Sequence, residues 1–137
     1  MGVGLTIYVE QSDGDRWAPV LADGKPARFS PAGARGAYGL LIGGWQAADD
    51  SLCDPATGKR GLPDDLSAKL KKQLRYDLGG PSEVEATTFT WFTLAELESY
   101  AESVDPHGDF LWFYEIVRAV SQVLGEPEKL RFLAAFS

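Results

Sequence analysis

One cysteine, one histidine and one methionine are all that this 137-residue chain holds of sulfur and imidazole side chains. With Cys53 alone no internal disulfide can form, which fits a reducing, cytoplasmic compartment. Cys53 and His107 together cannot build a Cys/His zinc site. His107 lies far from Cys53, in an Asp105-Pro106-His107-Gly108 turn and not beside a G-x-S-x-G elbow, so neither a thiol nor a serine nucleophile has an obvious base. Cations are scarce too. Thirteen Lys and Arg against twenty Asp and Glu leave a net charge of −7, which argues against nucleic acid as a partner. No apolar run approaches the length of a membrane span. Met1–Glu10 lacks a basic, then apolar, leader pattern, so no signal peptide is expected. Neither a phosphate loop nor a dinucleotide fingerprint occurs, and no cofactor is expected.

What is present suits one domain over residues 1–137, with 45% apolar residues and sixteen aromatic rings to fill a core. Val3, Leu5, Ile7 and Val9 alternate with Gly4, Thr6, Tyr8 and Glu10, the period of a strand with one buried face. Asp13-Gly14 marks a turn into a return strand around Trp17–Val20, limited by Pro19 to an edge. Residues 22 to 34 read as a loop. Tyr38, Leu41, Ile42 and Trp45 fall at helical spacing over 34–45, and a long acidic loop follows to residue 62. Pro63 opens a helix carrying the stripe Leu66, Leu70 and Leu74, which Gly79-Gly80-Pro81 stops. On that helix Lys69, Lys71, Lys72 and Arg75 read as a solvated face.

Val84 to Phe92, rich in Thr and aromatics, reads as a strand with Glu83 and Glu85 on its exposed side. Thr93-Leu94-Ala95-Glu96 matches a capping box and should start a helix. Phe110 to Leu124 is the most strongly patterned helix. Phe110, Phe113, Tyr114, Val117, Val120, Ser121 and Leu124 share its core face, with Leu111, Trp112 and Ile116 extending it. A last strand covers Lys129–Phe136. The expected fold is α+β, a small, mostly antiparallel sheet with helices packed on one face, in the order β-β-α-α-β-α-α-β.

The carboxylates Asp49, Asp50, Asp54, Asp64 and Asp65 match no calcium loop, and a metal site is not expected. The most suggestive group is cationic. Arg28, Arg35, Lys59 and Arg60 border the two Gly/Pro-rich loops that flank the 34–45 helix. Gly33-Ala34-Arg35-Gly36 would bring free N–H groups and a forked guanidinium to a helix start, where anions bind. Tyr38 and Trp45 would offer stacking surfaces. In the alternative arrangement Arg35 and Arg60 pair with loop or helix-start carboxylates such as Asp54, Asp64 or Asp65 and serve the loop alone. Trp45, Trp91 and Trp112 are candidates for a surface of self-association.

Several stretches resemble an uncharacterised family of small proteins of tailed phages, prophages and bacteria. They are Ile7-Tyr8-Val9-Glu10, Arg35 with Tyr38 and Leu41, Arg60-Gly61-Leu62-Pro63-Asp64-Asp65-Leu66-Ser67, and Thr90-Trp91-Phe92-Thr93-Leu94-Ala95-Glu96-Leu97. The closing Leu130-Arg131-Phe132 resembles that family's last strand. The family's acidic and histidine side chains are replaced here by Leu5-Thr6-Ile7 and Ala86-Thr87-Thr88-Phe89. The resemblance implies an accessory protein of phage type and no established activity. The resulting expectation is a non-enzymatic protein that binds a small anionic, nucleotide-like ligand through Arg28, Arg35, Tyr38, Trp45, Lys59 and Arg60. The alternative is a module that binds or inhibits a host protein through an acidic surface.

Overall fold

The computed structural model describes residues 5–30, 60–104 and 108–136. The alternation in the first strand is realised as β1 (Leu5–Ser12). The turn at Asp13 is closed by its own carboxylate, which accepts from the N–H groups of Asp15 and Arg16. It leads into β2 (Trp17–Pro19), paired antiparallel with the far end of β1.

Residues 22 to 30, within the stretch to 34 expected as a loop, contain more order than that. Strands β3 (Leu21–Ala22) and β4 (Lys25–Pro26) form a small hairpin around Asp23-Gly24. Both turn residues have positive φ, 52° and 76°, the backbone that a two-residue hairpin needs and that an Asp-Gly pair tolerates. Strand β5 (Arg28–Phe29) then returns to β1, pairing Ile7 with Phe29 and Tyr8 with Arg28.

Helix α1 spans Ala68–Leu78, so it begins later than Pro63. Pro63 to Leu66 is a turn, closed by Leu66 N–H to the Pro63 carbonyl. Ser67, with extended backbone, caps the helix by accepting from Leu70 N–H at 3.2 Å. Gly79, left-handed at φ 100°, ends it. The strand expected from Val84 is shorter than its composition suggests. Pro81–Ala86 forms a short helix, α2, because Pro81 suits a first helical turn and Glu83 sits within it. Glu83 and Glu85 are therefore on a helix, and β6 is confined to Thr88–Phe92. The capping box forms as read: Glu96 N–H donates to Thr93 Oγ1, and Thr93 N–H donates to Glu96 Oε1. Helix α3 covers Leu94–Val104 and α4 covers Gly108–Leu124. A 3-10 turn at Pro127–Lys129 leads into β7 (Leu130–Phe136).

The fold is α+β, with an antiparallel sheet in the order β2-β1-β7-β6; β5 shares the outer edge of β1 with β2. One correction concerns the layers: helices cover both faces, not one. On the first face Leu5, Ile7, Val9, Phe132 and Ala134 pack with Leu94 and Leu97 of α3 and with Phe113 and Val117 of α4. On the second, Tyr8, Leu133 and Ala135 pack with Leu66, Leu70 and Leu74 beside and along α1. The reason is β7, whose seven residues are all buried, so neither of its faces can be left to solvent.

Candidate functional site

Of the residues singled out for anion binding, Arg35, Tyr38, Trp45 and Lys59 lie outside the described residues. Arg28 and Arg60 can be placed, and they occupy opposite edges of the sheet. Arg28 is on β5, beyond β1, while Arg60 lies against β6. Three strand spacings separate these edges, roughly 14 Å.

Each of the two is held by a carboxylate. Arg28 Nη1 lies 2.7 Å from Asp77 Oδ2. The same carboxylate accepts from Tyr8 Oη at 2.8 Å and from Gln73 Nε2 at 2.8 Å. Burial, then the hydrogen bond to Asp77 and the charge of that carboxylate, push the Tyr8 hydroxyl up to about 12. Arg60 donates to the Trp91 carbonyl at 3.1 Å and forks onto Glu96 through Nη1 and Nη2. Its guanidinium lies 4.3 Å from the Trp91 ring centroid. Burial acts to raise the Glu96 carboxyl, but hydrogen bonds from Arg60 and Thr93 outweigh it and hold the group below its ordinary value. Among the described residues the carboxylate partner of Arg60 is Glu96, not Asp64 or Asp65, and Asp54 lies outside the described residues. Asp65 belongs to another network.

That network escaped the sequence reading. Arg131, on β7, and Glu10, on β1, are cross-strand partners and are 3% and 1% exposed. Arg131 donates from Nε and Nη2 to Glu10 Oε1 and from Nη1 to Asp65 Oδ1. Glu10 Oε2 accepts from Ser67 N–H. The guanidinium also lies 4.2 Å from the Trp17 ring centroid. The Arg-Gly-Leu-Pro-Asp-Asp-Leu-Ser stretch is thereby pinned at three points: Arg60 to Glu96, Asp65 to Arg131, and Ser67 to Glu10. No buried side-chain nitrogen or oxygen among the described residues lacks a partner. Their only sequence signal was a charge inside an apolar run, Glu10 after Ile7-Tyr8-Val9 and Arg131 between Leu130 and Phe132.

The surface offers three further features. The cations of α1, Lys69, Lys71, Lys72 and Arg75, are exposed as expected. A cavity of about 520 Å³ lies between the first hairpin and the start of β7, with Asp13, Arg16, Glu126 and Lys129 among its lining. Lys129 and Glu126 already pair with each other there, at 2.7 Å. No group of three metal-ligating side chains occurs among the described residues. The third feature is the outer side of α4. Phe113, Val117 and Ser121 are buried, but Trp112 is 65% exposed and Val123 84%. Leu111 and Trp112 thus do not extend the core face; helical rotation carries them to the solvent side, and Leu111 is 40% exposed. Trp112, Ile116, Ala119 and Val123 follow i, i+4, i+7, i+11 spacing and form one apolar stripe. Ile116 is half-buried and Ala119 exposed.

Comparison of the chain with protein families, curated proteins and solved structures finds no match.

Proposed function

We propose that this chain is a non-enzymatic, phage-type accessory protein of the cytoplasm that works by binding protein, with the outer stripe of α4 as its docking element. The carrying observation is the Trp112–Val123 stripe. An exposed tryptophan aligned with three further apolar residues is surface that gains free energy when another apolar surface covers it. A straight stripe about 16 Å long, eleven residues at 1.5 Å each, fits one helix of a partner.

The small-anion reading has less support. It draws on Arg28 and Arg60, whose charges are already balanced by Asp77 and Glu96. It would have to rest on Arg35, Tyr38, Trp45 and Lys59 alone.

A photo-crosslinking amino acid at position 119, with one at position 72 as control, tests the docking reading in producing cells. The expected outcome is protein adducts from position 119 that mass spectrometry maps to an apolar helix. Intramolecular adducts alone, at the mass of a single chain, would overturn it.

A further inference from the structure

We infer that the helix received by this face is α4 of a second copy of the same chain, running antiparallel across a two-fold axis near Val117 and Arg118. The inference rests on the reading of α4 as a docking surface and names its occupant.

Three observations support it. The first is size. Antiparallel alignment about that axis sets Trp112 against Val123 of the other copy, and Ile116 against Ala119. Each layer then joins a large side chain to a small one, as close packing at a helix interface requires. Parallel alignment would stack Trp112 on Trp112 and Ala119 on Ala119, leaving one layer overfull and another empty. Ala119 in the central layers also lets the axes approach to about 8–10 Å.

The second is charge. Two copies of a chain with net charge −7 repel each other over most of their surface. Between Leu111 and Leu124, however, the only charged residues are Glu115 and Arg118, which balance and pair with each other at 3.3 Å. The apolar stripe itself carries no charge, so two acidic copies can meet on this face at little electrostatic cost.

The third is closure. A stripe that complements its own reverse forms an isologous contact, which stops at two copies and leaves no open apolar end. The contact involves α4 alone, and α1 lies on the opposite face of the sheet.

Sedimentation equilibrium over the micromolar range provides the test, with Trp112→Lys and Val123→Glu as the variants. Both sites are largely exposed, so the variants should keep the wild-type circular dichroism and melting midpoint. The wild-type chain should move with concentration from 14.9 kDa toward twice that mass. Each variant alone should associate at least about tenfold more weakly. Mixing the two should restore association, because one layer becomes a Lys–Glu pair and the other is the native Trp112–Val123 layer. Parallel packing predicts no such rescue. A mixture no stronger than either variant, or a dimer indifferent to both substitutions, overturns the inference.

A wild-type chain that stays monomeric also overturns it, and a second measurement then separates the two readings. In a Cys53→Ser background, Val123→Cys should react with maleimide in the monomer if the face is open. Rapid labelling leaves the docking reading standing with a different occupant. Protection in the monomer means that the chain covers its own stripe, and both readings fail.

Discussion

On one face of the sheet Phe92, Phe113 and Phe132 meet as bare hydrocarbon, with Phe92 stacked on Phe132 at 5.4 Å and edge-on to Phe113 at 5.8 Å. On the other, Tyr8, Glu10 and Arg131 carry polar atoms into the layer beneath α1 and reach Asp77, Asp65 and Ser67. The apolar face gains from area alone and is indifferent to direction. The polar face fixes direction, because each donor must find one acceptor, and it ties the loop before α1 to strands at both ends of the chain. A pair such as Glu10 and Arg131 is costly to break but is not in itself a large source of stability.

The largest effect that sharpens this contrast is expected on the apolar face. Phe113→Ala, at a fully buried position, should cost about 3–5 kcal/mol in denaturant unfolding. An unchanged midpoint would mean that α4 does not pack as described. Next comes the polar face. Arg131→Met alone should cost on the order of 3 kcal/mol, since it strands the buried Glu10 carboxylate. Adding Glu10→Leu should recover most of that loss, because the surviving charge is removed along with its partner. Strict additivity of the two substitutions in a double-mutant cycle would show that the pair is not coupled.

The same contrast explains what could be read in advance. Hydrophobic period placed β1 and α4 correctly, because burial imposes a local rhythm on sequence: of the expected core residues Phe113, Val117 and Leu124, the first two are buried with Leu5 and Ile7, and Leu124 packs against that cluster only partly buried. Turn and cap chemistry is equally local, so the Asp13-Gly14 turn, the Gly79 stop and the Thr93–Glu96 box were legible. The ion pairs were not. Glu10 and Arg131 are separated by 121 positions, Tyr8 and Asp77 by 69, and Arg60 and Glu96 by 36. No periodicity encodes such distances, so Arg60 looked free and was assigned to a ligand. Trp112 was misplaced for a different reason. A helix apolar on two sides gives no internal clue to which side is core, and the structure assigns Phe113 inward and Trp112 outward.

A smaller effect, on the order of 1 kcal/mol, is expected from Tyr8→Phe, which removes the hydroxyl donor to Asp77 and leaves Arg28 and Gln73 in place. It carries a signature in alkali. The Tyr8 hydroxyl ionises near 10 when unfolded and near 12 when folded. Between those values the unfolded chain loses a proton that the folded chain keeps, so stability falls as pH rises from about 10 to 12. The wild-type melting temperature should drop across this window more steeply than that of Tyr8→Phe. Parallel curves would mean that the hydroxyl is neither buried nor held by Asp77 as described.

The smallest effect separates the two readings of Arg60. Its pair with Glu96 is partly open to water, the side chains being 19% and 27% exposed, so screening should limit Arg60→Ala to about 1 kcal/mol or less. Glu96 supplies an acid signature opposite in sense to that of Tyr8. Hydrogen bonds from Arg60 and Thr93 hold its carboxyl below the ordinary value in the folded chain, so the stabilisation is present above the unfolded value and is lost as pH falls through the folded one. Glu96→Gln should therefore flatten the acid side of the stability profile, where pH falls through and below the ordinary carboxylate range. Arg60 also closes the outer edge of β6, where its own Nη1 holds the Trp91 carbonyl and the adjacent Gly61 N–H holds that of Phe89. Arg60→Ala should accordingly speed hydrogen exchange in β6 more than in β1. A ligand site on Arg60 makes a different demand: nucleotides, cyclic dinucleotides or ADP-ribose derivatives should raise the wild-type melting temperature and fail to raise that of Arg60→Ala. Faster exchange in β6 with no ligand shift in either protein would assign Arg60 to the sheet edge. A ligand shift lost in Arg60→Ala would restore the anion site.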